Sequence, residues 1–244
     1  MKVPRYQSRF AVLMLSLTLF SACSPLGQPR KDSEIVAPSE VMDFRTLYAA
    51  NCAGCHGSDG RGGAAIALAD PVYLAIVDGS SMRKVIANGV HGTSMPAFAQ
   101  SAGGMLTDQQ IAVLTNGIFS HWSRAGILDR NNAPSYTAKT SGNIANGQLV
   151  YRTYCASCHG PEGQGGSKGS AIVNDSFLAL VSDQGLRTIV ITGRGELGAP
   201  DWRGNVPGKP MSDQEITDVV AWLASRRVQD PGQPYPASTT RRSF

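Results

Sequence analysis

The segment Cys52-Ala-Gly-Cys55-His56 recurs as Cys155-Ala-Ser-Cys158-His159, 103 residues further on. The flanks recur with it. Leu47-Tyr48 matches Val150-Tyr151, and His56-Gly-Ser-Asp-Gly-Arg-Gly-Gly63 matches His159-Gly-Pro-Glu-Gly-Gln-Gly-Gly166. Arg83-Lys-Val-Ile86 pairs with Arg187-Thr-Ile-Val190, and Pro96-Ala-Phe98 with Pro200-Asp-Trp202, one residue having been gained between. A self-similar period of this length marks an internal duplication. Ahead of each motif, Phe44, Leu47 and Tyr48, or Val150, Tyr151 and Tyr154, stand at i, i+3, i+4 spacing, which predicts a short amphipathic helix leading into the cysteines. Each repeat closes with a capping box, Thr107 to Gln110 and Ser212 to Glu215. Helically spaced Ile111, Leu114 and Ile118, or Ile216, Val219, Val220 and Leu223, follow it.

Cysteines three apart on a helical turn project to one side, where their thiols can add to the two vinyl groups of one haem; the histidine after them then lies beneath the iron as an axial ligand. A large apolar macrocycle also helps units of roughly 85 residues, which bury only a small share of their surface. Zinc needs four ligands, and the pairs stand in separate repeats. Disulfides leave the repeated histidine without a purpose. Two covalent haems, at Cys52/Cys55 and Cys155/Cys158, are therefore expected, with His56 and His159 as iron ligands.

From about Phe44 to Arg227 the chain resembles class I bacterial cytochrome c in tandem. The resemblance implies an all-α fold, a few helices around each haem, and a Met-Pro segment giving the second axial ligand. Met95-Pro96 is the matching segment in repeat one, so Met95 is the expected ligand; a soft thioether favours ferrous iron and raises the potential. Met82 and Met105 are expected in the core or loops, and His91 and His121 in solvent or near the site.

Repeat two departs from this pattern, because the match to Met95-Pro96 is Ala199-Pro200, and alanine binds no metal. Three outcomes remain open for the second iron. Met211 can reach in, the iron can be five-coordinate or water-bound, or Lys209, Lys168 or a histidine of the other repeat can supply a donor.

The N-terminus has the three-part layout of an export signal: Lys2, Arg5 and Arg9, then the apolar run from Phe10 to Phe20, then Ser21-Ala22. A run of eleven residues is too short for a membrane-spanning helix. Leu19-Phe-Ser-Ala-Cys23 resembles a bacterial lipobox, which implies acylation at Cys23. The full chain carries +4, but without the leader 19 basic residues face 18 acidic ones, so no nucleic-acid footprint remains. The expected organisation is a signal over 1–22, a lipid anchor and tether over 23–43, cytochrome c domains over 44–129 and 143–229, a linker over 130–142 and a tail over 230–244. Gly160 to Ser170 lacks the order of a phosphate loop, and no hydrolytic constellation stands out. These features point to an electron carrier exchanging single electrons with redox proteins at the extracytoplasmic face of a membrane, periplasmic and lipid-anchored, as in a respiratory assembly. The alternatives are an oxidoreductase acting on peroxide or inorganic sulfur, or a gas-binding protein, at the second haem.

Overall fold

The computed structural model of the 244-residue chain describes residues 36–128 and 133–228. The signal, Cys23, most of the tether and the tail lie outside the described residues. The chain divides into a unit Met1–Pro38 and a unit Ser39–Phe244, and both repeats belong to the second.

The described residues form α-helices, short 3-10 turns and two isolated β-bridges, with no strand among them. Repeat one contains α1 (Phe44–Asn51), α2 (Ala53–His56), α3 (Pro71–Ile76), α4 (Gly79–Asn88) and α5 (Asp108–Trp122). Repeat two has the same five in the same order: α6 (Ile144–Tyr154), α7 (Ala156–His159), α8 (Asp175–Leu180), α9 (Asp183–Thr192) and α10 (Asp213–Ala224).

Local chemistry explains the boundaries. Asp43, Asp70, Asp78, Asn143, Asn174 and Ser182 each accept a bond from a backbone N–H of the first turn, satisfying donors that helix geometry leaves free. Both capping boxes form as expected, at Thr107/Gln110 and Ser212/Glu215. The helical stripes are the cores: Leu47, Tyr48, Ile111, Leu114 and Ile118 are buried in repeat one, and Val150, Tyr151, Tyr154, Ile216, Val219, Val220 and Leu223 in repeat two. The first and last helices of each repeat pack together, α1 on α5 and α6 on α10. At Gly147 the α6 backbone lies so near α10 that an added Cβ would stand 2.0 Å from the Asp218 carbonyl oxygen.

The two repeats also touch. α3 of repeat one packs on α9 of repeat two, and Val72 and Ile76 enter the core cluster of repeat two. Residues 133–142, expected as a polar linker, hold specific contacts. Pro134 is buried, the Tyr136 ring stands 6.4 Å from that of Tyr73, and Ser135 and Tyr136 offer their carbonyls to the buried Arg187. At the near end of the tether, the Val41 carbonyl accepts a bond from the Gln110 side chain at 3.0 Å. No helix among the described residues is long and apolar enough to cross a membrane.

Two candidate haem sites and what they resemble

Each motif sits at a break between two helices. Cys52 ends α1 and begins α2 at φ −119°, ψ −37°; Cys155 does the same between α6 and α7 at φ −119°, ψ −32°. The expected continuous helical turn is thus slightly unwound at the first cysteine. The turn is still closed, because His56 N–H donates to the Cys52 carbonyl and His159 N–H to that of Cys155, each at 3.0 Å.

The ring of each histidine is oriented by the backbone of the loop that follows. His56 Nδ1 stands 2.8 Å from the Ile66 carbonyl oxygen, and His159 Nδ1 stands 2.7 Å from that of Ser170. An imidazole that donates from Nδ1 keeps Nε2 unprotonated and available to a metal. Burial pushes the His56 imidazole below its usual pKa, more than the Ile66 carbonyl raises it, so the neutral ring is favoured. A buried tyrosine supports each turn: the Tyr48 hydroxyl donates to the Gly57 carbonyl at 2.9 Å and the Tyr151 hydroxyl to that of Gly160 at 2.6 Å. Burial raises both phenols to about 12, so they remain donors at any working pH.

The first cysteine of each motif lacks the depressed pKa of a redox-active thiol. Burial, with the second thiol of each motif adding to it, pushes Cys52 up to about 11 and Cys155 to about 12, whereas dithiol catalysis uses a depressed pKa. Neither pair is bridged. No group of three or more His, Cys, Asp or Glu converges as a metal cage among the described residues. Two thiols and one oriented imidazole on a short turn are instead the donor set that fits a haem bound through thioethers.

Met95 and Ala199 hold the same backbone position. Met95 O accepts from Val90 N–H at 3.0 Å, and Ala199 O accepts from Arg194 N–H at 3.0 Å. The preceding helices end at Gly89 (φ +65°) and Gly193 (φ +67°), where an added Cβ would stand 2.6 Å from the carbonyl oxygen of Met95 or of Ala199. Glycine is therefore required twice at the same turn. Met95 is half-buried, and its N–H donates to Thr93 Oγ1 at 3.2 Å.

Met211 takes the place that Leu106 has in repeat one. Leu106 N–H donates to the Phe98 carbonyl at 2.8 Å and Met211 N–H to that of Trp202 at 3.0 Å, each just before its capping box. Both side chains are core, 5% exposed for Leu106 and 3% for Met211. The amide nitrogen of Asn205 stands 3.9 Å from the Met211 sulfur. Elsewhere in repeat one, Met82 is buried and Met105 is 81% exposed; His91 is exposed, and His121 stacks on Phe44 with its Nδ1 2.8 Å from the Gly117 carbonyl. Sequence reasoning missed the Ile66 and Ser170 carbonyls, which are backbone groups without a residue signature. The recurrence of Tyr48 and Tyr151 in both repeats is legible in the sequence, but the hydrogen bonds of their hydroxyls are not.

Paired Cys-x-x-Cys-His turns with carbonyl-oriented imidazoles, in tandem helical units, define a dihaem c-type cytochrome. The chain belongs to the family described as Cytochrome C oxidase, cbb3-type, subunit III, which matches residues 39–116 and 142–223, more than half of its length. It carries two covalently bound haem c groups, which the motifs at Cys52/Cys55 and Cys155/Cys158 fit. A relative from Azospirillum sp. (strain B510), the Cbb3-type cytochrome c oxidase subunit CcoP, is 32% identical over 155 residues, covering 59% of this chain and 47% of the relative. The subunit FixPc of Rhizobium leguminosarum bv. viciae is 27% identical over 209 residues, covering 79% of this chain and 64% of the relative. The chain thus spans about half to two thirds of these relatives' lengths. Among solved structures, the Kuenenia stuttgartiensis reducing HAO-like protein complex Kustc0457/Kustc0458 is similar at 18% identity and TM-score 0.43, over 78% of this chain and 99% of that one.

Proposed function

We propose that the chain is a lipid-anchored electron carrier at the extracytoplasmic face of a membrane, passing single electrons between redox proteins as part of a respiratory assembly. Each bound haem supplies a one-electron ferric/ferrous couple. Cys52 and Cys55 hold the first haem with His56 and Met95 as iron ligands; Cys155 and Cys158 hold the second, with His159 as its ligand. The observation that carries this reading is the duplicated Cys-x-x-Cys-His turn with each histidine Nδ1 at a loop carbonyl, 2.8 Å and 2.7 Å away. Contact between the repeats supports transfer within the chain, because α3 packs on α9 and the Arg194 side chain donates to the Gly63 carbonyl at 3.1 Å. The relatives named as cbb3-type oxidase subunits support a place in a terminal oxidase or a comparable assembly. The lipobox-like Leu19 to Cys23 supports the anchor, since several acyl chains at about 0.8 kcal/mol per buried methylene prevent release.

A redox titration of the full-length haem-loaded protein tests the carrier role. The expected result is two electrons taken up per chain in two one-electron waves. Fewer than two electrons, or fewer than two haems per chain, would overturn it. The anchor is tested separately: Cys23→Ser should abolish membrane retention, and unchanged retention of the processed variant would refute acylation.

A further inference from the structure

Repeat two contains one histidine, His159, and one methionine, Met211. His159 is oriented from its Nδ1 side by Ser170. Ala199 occupies the backbone position that Met95 occupies in repeat one, with the same carbonyl bond and the same glycine beneath it. Met211 fills the core position of Leu106 and is enclosed by its own cluster, so it replaces a packing residue and not the missing ligand. A swing of the Ala199 loop to change this arrangement is opposed by Arg194, which pairs with Glu196 and reaches across to Gly63 of repeat one.

Among the described residues, the lysines and histidines that the sequence offered as alternatives are engaged or placed elsewhere. Lys168 lies next to Gly169, whose added Cβ would meet the His159 ring at 3.0 Å, so it belongs to the loop on the Nδ1 side of that histidine. The Lys209 ammonium stands 5.3 Å from the Tyr154 ring centre, beside Glu215. His121 is stacked on Phe44, and His91 is exposed on the Met95 loop of repeat one.

Resting on the dihaem reading above, we infer that the second haem iron has no protein ligand opposite His159 and binds small neutral π-acceptor ligands when ferrous, while the first iron is closed by Met95. Carbon monoxide and nitric oxide share this chemistry. Binding displaces at most a water and transfers no electron.

The test uses the purified full-length haem-loaded protein, reduced with dithionite and titrated with carbon monoxide, with haem counted independently as the pyridine adduct. The expected result is two haems and one carbon monoxide per chain. Ala199→Met should reduce that stoichiometry to zero and double the methionine-to-ferric-iron absorption of the oxidised protein. Met211→Leu should leave it at one. Nitric oxide should saturate at the same single site and compete with carbon monoxide there, the tighter of the two identifying the preferred ligand. Two haems with no carbon monoxide bound would overturn the inference and leave the carrier reading intact; a gain of binding in Met211→Leu would then assign Met211 as the ligand. Two carbon monoxide molecules per chain would overturn the distinction between the repeats. Fewer than two haems would overturn the dihaem reading itself.

Discussion

Replacing Arg187 by Met tests whether the segment between the repeats is fastened to repeat two by specific bonds. The side chain is 2% exposed and pairs with Asp213. Its Nε stands 3.1 Å from the Ser135 carbonyl and 3.2 Å from that of Tyr136, its Nη2 2.9 Å from that of Ser135, and its Nη1 2.9 Å from Thr217 Oγ1. Methionine keeps the unbranched length and removes every donor. The partners lose unequally: the Tyr136 carbonyl retains Gln184 at 2.8 Å, the Asp213 carboxylate retains the Ser135 N–H at 2.9 Å and is about one third exposed, and the Ser135 carbonyl loses both of its donor contacts. Removing one member of a buried pair costs about 3–5 kcal/mol. The exposure of Asp213 and the returned apolar packing place this case near the bottom of that range, at ~3 kcal/mol. For a chain of this size that lowers the melting temperature by roughly 6–12 °C. The assay is thermal unfolding of the haem-loaded protein followed by circular dichroism. Arg187→Lys should recover only part of the loss, since an ammonium cannot serve the carbonyls, hydroxyl and carboxylate together. A decrease of under 2 °C for Arg187→Met would show that these bonds contribute little to stability.

Met95→Ala should lower the potential of the first haem and remove the methionine-to-ferric-iron absorption; survival of that feature would show another ligand. For Asp218, burial raises the carboxyl pKa, but bonds from Asn143 N–H, Asn146 and Gln214 outweigh it and hold the group below its usual value. Because the folded pKa is the depressed one, this stabilisation is fully present above the unfolded value of about 3.9 and disappears as pH falls through the folded value. Asp218→Asn should therefore destabilise the protein at pH 7 and flatten the acid limb of its stability profile; an unchanged acid limb in a denaturation series would contradict this. Cys155→Ala with Cys158→Ala should leave one haem, on repeat one, when counted by mass spectrometry of the denatured chain, and loss of both would show that repeat one does not load alone.

The sequence determined what is local or repeated. The helices follow from apolar spacing, and their ends follow from Thr107, Ser212 and the Asp and Asn caps, because a capping bond spans three residues and needs no distant partner. The haem motifs were legible for the same reason, with thiols and imidazole contiguous on one turn. Which faces meet is set by tertiary packing. Arg83 and Arg187 align between the repeats, yet Arg83 is exposed while Arg187 is buried beneath Ser135 and Tyr136, contacts more than 50 residues away in sequence. Val72, on a helix of repeat one, serves the core of repeat two because α3 packs on α9. The sequence also left Met211 open between iron and core, since a thioether suits both. In the structure its N–H bonds the Trp202 carbonyl as that of Leu106 bonds Phe98, and its side chain is buried, a packing relation that residue type and spacing alone do not show.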